Sequence, residues 1–195
     1  MPRTGLTATE LRTRAIDVTL RRIRSDGFEK VRLTDVAHEL GISHVALYAH
    51  FANKEALLDA VLERWLTEVS TALAKVCASN HKPAQKLEQW FVQQYAMKRD
   101  RALNDRATYA AFETATAAKK QFVKDYLAQR TAQLVGLLEG VGVASPQHDA
   151  TVLLDGMAGF FHPRLILESA ETNREPELKR VLQTLLRGLG QPRSR

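Results

Sequence analysis

Apolar residues recur along this chain at helical rather than strand spacing. Ile16, Leu20 and Ile23 are separated by four and three positions, and the apolar residues within 57–65 repeat this rhythm. Such spacing places side chains on one face of an α-helix. No segment shows the sustained alternation of apolar and polar residues that is typical of strands. The pattern therefore predicts an all-α protein whose helices are separated at glycine and proline.

The predicted helices fall into two groups. They cover residues 9–26, 34–40, 43–50, 54–78, a segment that begins near residue 83, then 101–118, 119–140, 146–168 and 175–189. The first three are short and predict a small domain over residues 1–53. The long fourth helix would join it to a helical domain over residues 54–195.

The segment 33–51 has the layout of a helix-turn-helix. Thr34 and Ser43 are suited to cap its two helices, because their hydroxyls can accept from the first backbone N–H groups. Gly41 supplies a backbone conformation that ends the first helix and turns the chain. Leu47 and Phe51 are one turn apart and would anchor the second helix to the core.

The outward face of the second helix is uncharged. It consists of His44, Val45, Ala46 and Tyr48, and no Asp, Glu, Lys or Arg occurs between residues 40 and 52. A solvated helix is rarely so apolar, so either this helix is buried on all sides or another molecule covers it. A DNA major groove would accept small apolar side chains next to thymine methyl groups. The turn glycine and the caps favour this second explanation.

Charge and cysteine content agree with a DNA-binding protein inside the cell. The formal net charge is +6, and residues 1–54 hold nine Lys or Arg against six Asp or Glu. Excess positive charge near the N-terminus is expected where a protein contacts phosphate, although a solvated basic helix would look the same. Cys77 is the only cysteine, and no apolar segment is long enough to span a membrane. We therefore expect a soluble, cytoplasmic protein.

The residues from Arg14 to Lys54 resemble the TetR family of bacterial transcriptional regulators. The resemblance rests on Gly27-Phe28, Leu33-Thr34-Asp35-Val36-Ala37, Leu40-Gly41-Ile42-Ser43, Leu47-Tyr48-Ala49-His50-Phe51 and Asn53-Lys54-Glu55-Ala56-Leu57. A generic helix-turn-helix does not require tyrosine, histidine, phenylalanine and lysine at these offsets.

The resemblance implies roles for individual residues. Contacts with phosphates are implied for Thr34, Ser43, Tyr48, His50 and Lys54, and contacts with bases for His44, Val45 and Ala46. The family often has glycine or proline followed by threonine where this chain has Val45 and Ala46. One hydroxyl contact is then lost, so the family's operator sequences cannot be transferred.

Membership in this family implies that residues 54–195 bind a small molecule and form a homodimer. The two last helices would pair with those of a partner through Gly156, Gly159, Leu178, Leu182, Leu185, Leu186 and Leu189. Glycines allow close approach of helices and the leucines form one apolar stripe. The alternative is that both helices only close the core of a monomer.

A ligand pocket is predicted where rings and sparse polar groups combine. The candidates are Trp90, Tyr95, Tyr109, Phe112, Glu113, Phe160 and His162. Aromatic residues at helical spacing usually pack in a core, so most of them have an equally good structural explanation. Glu113 lies in an otherwise apolar run and could bind a cationic or hydroxylated ligand or point to water.

An enzyme and a structural DNA-binding factor are the alternatives to a ligand-responsive regulator. His38, Glu39 and His44 resemble a broken zinc-protease motif, but Gly41 interrupts the helix between the two histidines. No sequence motif for an enzyme or for a cofactor is present, so we expect neither catalysis nor a cofactor. A DNA-binding structural or division factor without a small ligand stays possible. The favoured interpretation is a repressor that binds a palindromic operator and is released by a small-molecule inducer.

Overall fold

The computed structural model describes residues 6–189, and these residues contain helices and no strands. The helices are α1 (Ala8–Asp26), α2 (Leu33–Glu39), α3 (His44–Tyr48), α4 (Lys54–Ala78), α5 (Pro83–Asn104), α6 (Arg106–Ala117), α7 (Gln121–Val141), α8 (Pro146–Gly156), α9 (Pro163–Ser169) and α10 (Glu175–Leu189). Short 3-10 turns cover Phe28–Lys30 and Ala158–Phe160. The predicted all-α architecture is confirmed.

Helices α1 to α3 pack around one small apolar core with the start of α4. The core includes Ile23, Val36, Leu47, Phe51 and Leu57, each at most 2% exposed. Helix α1 begins with a capping box, in which the Thr7 hydroxyl accepts from the Glu10 N–H and the Glu10 carboxylate accepts from the Thr7 N–H. This domain is therefore held together by local capping and by the apolar faces that the sequence indicates.

Helix α4 belongs to two cores. Leu57, Leu58 and Val61 pack in the N-terminal core, whereas Leu62 and the residues that follow it pack in a larger C-terminal core. The first two turns of this helix thus pack in one core and its later turns in the other. The division of the chain at residues 53 and 54 stays a prediction.

The C-terminal core is rich in aromatic rings. Trp65 lies edge-on to Tyr109 and Phe112, with ring centroids 5.6 and 5.0 Å apart, and Trp90 lies edge-on to Phe91 at 5.0 Å. Edge-to-face packing is favoured by the charge distribution of aromatic rings. The contacts of Trp65 join α4 to α6, and the pair on α5 packs in the same C-terminal core.

Three predicted boundaries are wrong. Thr34 does not cap α2, because the helix begins at Leu33 with Arg32 at the cap position and Thr34 in its first turn. The predicted helix over 146–168 is divided into α8, a 3-10 turn and α9. Pro163 is the first residue of α9, since proline lacks the N–H that an interior position requires. The break between α5 and α6 lies at Asp105 rather than at residue 101.

None of the helices within residues 6–189 combines the length and the hydropathy that a bilayer crossing requires.

Candidate DNA-binding surface and C-terminal interior

Helix α3 is short and is held at both ends by residues that the sequence singles out. Gly41 has a φ of +67°, and the Ser43 hydroxyl accepts from the Ala46 N–H at 3.1 Å. Leu47 is fully buried and Phe51 is 2% exposed, so both anchor the helix in the N-terminal core. The predicted turn, cap and anchors of this helix are confirmed.

The opposite face of α3 is open to solvent. Val45 is 66% exposed and Tyr48 is 47% exposed, and both His44 and Ala46 are also exposed. Burial within the protein therefore does not explain the absence of charge on this helix. An exposed face of a histidine, a valine, an alanine and a tyrosine is suited to contact base edges and sugar-phosphate groups together.

The residues with implied phosphate contacts lie around this face in different environments. Thr34 and Ser43 are exposed and His50 is half-buried. The Lys54 ammonium donates to the Glu29 carbonyl at 2.8 Å, so part of its hydrogen-bonding capacity holds the 3-10 turn to α4. Their contacts with DNA stay predictions.

Arg12 is a neighbour of α3 that sequence reasoning missed. Its guanidinium lies 4.8 Å from the centroid of the Phe51 ring and donates to the His50 carbonyl at 3.3 Å. Only the fold brings α1 to the end of α3, so sequence spacing gives no signal for this contact. Arg12 therefore adds a positive charge beside His50.

Several of the N-terminal cations are neutralised by ion pairs. Glu39 accepts from both Arg21 and Arg22 at 2.9 Å, and this contact joins α1 to α2. The two guanidinium groups lower the pKa of the Glu39 carboxyl through a hydrogen bond from Arg21 first and a second one from Arg22. Glu39, which belongs to the broken zinc-protease motif, thus has a structural role in these ion pairs.

The residues proposed from sequence to contact a ligand are mostly in the C-terminal core. The rings of Trp90, Tyr95, Tyr109, Phe112 and Phe160 are each at most 5% exposed. Glu113 is half-buried, and His162 is exposed at the cap position of α9. The structure therefore brings the rings together but leaves His162 outside, and ligand contact stays a prediction for all of them.

The predicted dimerisation residues require a correction. Leu178 is fully buried and Leu182 is 1% exposed within the protomer's own core, so neither is available to a partner. The Leu185 side chain fills the space beside Gly156, where an added Cβ would lie 2.9 Å from it. The close approach at Gly156 is thus between α8 and α10 of one protomer. Gly159, Leu185, Leu186 and Leu189 are half-buried.

Two family models match this chain in consecutive regions. The model described as bacterial regulatory proteins, tetR family, matches residues 15–61. The model described as tetracyclin repressor-like, C-terminal domain, matches residues 83–182. The chain belongs to the TetR family. Its members are transcriptional regulators, which bind DNA and small molecules and act as dimers.

Solved structures of transcriptional regulators share the fold of the present TetR-family protein. A transcriptional regulator from Pseudomonas aeruginosa PAO1 has a TM-score of 0.70 and 18% identity, covering 96% of this chain and 94% of that one. A regulator from Mesorhizobium loti has a TM-score of 0.68 and 14% identity, with 94% and 96% coverage. FadR from Thermus thermophilus, a repressor solved with lauroyl-CoA, has a TM-score of 0.59 and 16% identity, with 94% and 97% coverage. No curated protein matches significantly.

A buried ion cluster joins the two domains of this TetR-family protein. Asp105, between α5 and α6, is 5% exposed, and its Oδ2 accepts from Arg24 of α1 at 2.9 and 3.0 Å and from Arg101 at 2.9 Å. Burial alone would raise the pKa of Asp105, but Thr108 and then the two guanidinium groups outweigh this effect and hold that pKa below its usual range. The cluster fixes the N-terminal domain to the turn between α5 and α6.

An open cavity lies beside this junction between the N-terminal domain and the turn from α5 to α6. It has a volume of about 620 Å³, within the range of small-molecule sites, and is bounded by the turn at Phe28, by α4 and by alanines of α6. Lys120 lies at its rim and pairs with Glu55 and with Asp59 of α4. None of the seven residues that the sequence nominated for a ligand lines this cavity.

Proposed function

We propose that this TetR-family protein is a repressor that binds a palindromic operator as a homodimer and is released by a small-molecule inducer. The observation that carries the DNA-binding role is the exposed, uncharged face of α3. Two such helices in a dimer would enter successive major grooves, about 34 Å apart along the duplex. Thr34, Ser43, Tyr48, His50 and Lys54 would contact phosphates.

Selection of bound fragments from random DNA at a fixed salt concentration tests this role. We expect a two-fold symmetric site, because a symmetric dimer reads symmetric half-sites. His44→Ala should change the preferred bases at one position of each half-site. His81→Ala, which removes an exposed histidine between α4 and α5, is the matched control and should select the wild-type site.

The phosphate contacts are tested by the salt dependence of binding. Tyr48→Phe removes only the phenolic hydroxyl, so it should weaken binding to the selected site and to unrelated DNA by the same factor. Equal binding by wild type and Tyr48→Phe would exclude Tyr48 from the residues that contact phosphates. Failure to select any DNA at low salt would reject the DNA-binding proposal as a whole.

The proposed homodimer is formed by α8 and α10. Its contacts cannot include the buried Leu178 and Leu182, so we propose that Leu185, Leu186 and Leu189 provide the apolar part. Leu186→Glu should shift the sedimenting species from dimer to monomer and weaken operator binding. Glu177→Gln, an exposed change on the same helix, is the control. A dimer that survives Leu186→Glu with native circular dichroism would place the interface elsewhere.

The inducer is proposed to bind inside the C-terminal domain and to displace α4. Tyr109 and Phe112 pack on Trp65 of α4, so a ligand that separates these rings moves the helix that also belongs to the N-terminal core. Typical coupling energies of about 1 to 3 kcal/mol correspond to roughly five- to 150-fold weaker operator binding. Operator titrations with and without candidate inducers measure this factor. DNA binding that no small molecule alters would favour a structural DNA-binding factor.

A further inference from the structure

Two cations lie inside the C-terminal domain. Lys98 of α5 is 2% exposed and Arg130 of α7 is 8% exposed. A polar residue lies one helical turn before each of them, Gln94 on α5 and Tyr126 on α7, and the Gln94 amide donates to the Tyr126 hydroxyl at 3.2 Å. Residues four apart share one face of a helix, so α5 and α7 direct these four side chains toward each other.

The contacts of the two cations are with a carbonyl and with aromatic rings. The Lys98 ammonium donates to the Phe161 carbonyl at 2.9 Å and lies 5.5 Å from the centroid of the Phe112 ring. The Arg130 guanidinium lies 5.4 Å from the centroid of the Phe161 ring. Within residues 6–189, no carboxylate forms a salt bridge with either cation.

Unpaired polar atoms accompany the unbalanced charge. The Gln94 Oε1, the Arg130 Nε and the Tyr109 hydroxyl are buried without a hydrogen-bond partner in the described part of the chain. Buried polar groups in proteins are almost always paired, because desolvation without a partner costs free energy. The Gln94 and Arg130 atoms belong to the group of side chains that includes the two buried cations, and a polar ligand there would give them a partner.

The electrostatic environment of Lys98 and Arg130 is also unfavourable to their charges. Burial lowers the pKa of Lys98 well below its ordinary value, and the like charge of Arg130 lowers it further. By contrast, the buried charge of Asp105 is balanced by two guanidinium groups. A negative group placed between Lys98 and Arg130 would reverse both unfavourable effects.

We propose that Lys98 and Arg130 bind the anionic head, a carboxylate or a phosphate, of a small organic effector whose apolar body lies against Phe112 and Phe161. Guanidinium and ammonium groups are the side chains that proteins use for such heads. This proposal names the chemical class of the inducer and rests on the proposed function only for its effect on operator binding.

The cavity beside the junction is a weaker candidate for this head group. Two lysines line it. Lys54 donates to the Glu29 carbonyl, and Lys120 is already neutralised by Glu55 and Asp59. The hydrogen bond that Lys120 donates to Glu55 is the main cause of the raised pKa of Lys120. An anion there would compete with two carboxylates. At Lys98 and Arg130 it would have no such competitor among the described residues.

The test compares matched ligands on the purified full-length protein. Hexanoate, octanoate and decanoate, the alkyl phosphates of the same lengths and the corresponding alcohols are titrated by calorimetry and by thermal unfolding. We expect binding by anions and at least about tenfold weaker binding by the alcohol of equal length. The carboxylate and phosphate arms distinguish the two possible heads.

Variants then locate the site. Lys98→Met and Arg130→Met keep most of the apolar volume, and each should weaken binding of the preferred anion by at least about tenfold. Without ligand, Lys98→Met should unfold at the wild-type temperature or above it, because an unbalanced buried charge has been removed. Lys124→Met, an exposed change on α7, is the control and should bind as wild type does.

The outcomes separate this proposal from the proposed function. No binding by any of these anions, or undiminished binding by both variants, would overturn the assignment of Lys98 and Arg130. Anion binding that requires both residues supports it, even where operator affinity does not change. Anion binding without a change in operator affinity would reject the inducer role and would still support the anion site.

Discussion

The junction at Asp105 gives the sharpest prediction about stability. Asp105→Asn keeps the size of the side chain and one acceptor oxygen but removes the negative charge between Arg24 and Arg101. Removing one partner of a fully buried ion pair costs about 3 to 5 kcal/mol. The Arg24 side chain is 49% exposed and can regain water, so about 2 to 3 kcal/mol is a better expectation here.

Urea unfolding and thermal unfolding measure this loss. For a chain of this size, 1 kcal/mol lowers the midpoint by about 2 to 4 °C, so Asp105→Asn should lower it by roughly 4 to 12 °C. Asp100→Asn is the matched control, because Asp100 is exposed on α5, which ends just before Asp105, and its side chain contacts only Asn104 among the described hydrogen bonds. A loss no larger than that of the control would refute the role of the buried charge.

Acid should remove the difference between wild type and Asp105→Asn. The pKa of Asp105 is lowered in the folded state, so its stabilisation is complete above the unfolded pKa of about 3.9 and is lost as the pH falls through the lower folded value. The two unfolding free energies should therefore stay apart by a constant amount from about pH 5 to 8 and converge below about pH 4. A gap that persists at the lowest pH where the protein folds would contradict this origin.

Two further changes test the turn and the leucine stripe. Gly41→Ala should cost about 1 to 2 kcal/mol in urea unfolding, because φ is +67° there and alanine tolerates this conformation poorly. The control Gly188→Ala, inside α10, should be neutral or stabilising. Equal effects of the two changes would contradict the backbone explanation. Leu182→Ala should cost about 2 to 5 kcal/mol as a core truncation, and Leu186→Ala clearly less, since Leu182 is 1% exposed and Leu186 is half-buried. If Leu186→Ala were the more destabilising change, Leu182 would instead be assigned to a surface between protomers.

The conformation of the candidate DNA-binding surface could be predicted from sequence because its determinants are local. Gly41, Ser43, Leu47 and Phe51 lie within eleven consecutive residues, and each acts on the backbone or on the helix to which it belongs. The absence of charge on α3 also follows directly from the sequence. Exposure of Val45 required the structure, since an uncharged helix is compatible with burial as well as with an external partner.

The leucine stripe of α10 illustrates the limit of periodicity. The spacing of Leu178, Leu182, Leu185 and Leu189 predicts an apolar face, and that face exists. Periodicity does not say which neighbour covers the face, because the core of one protomer and the core of a dimer bury leucine with similar gain. The fold assigns Leu178 and Leu182 to their own protomer.

The sequence by itself determined the helices, the turn at Gly41 and the composition of the α3 surface, because these depend on backbone conformation and on residues a few positions apart. The tertiary structure alone decided which distant charges meet. Arg24 is 81 residues from Asp105, and Lys98 and Arg130 lie on different helices. Electrostatic energy depends on distance in space and on burial, and a linear pattern of residues contains neither quantity.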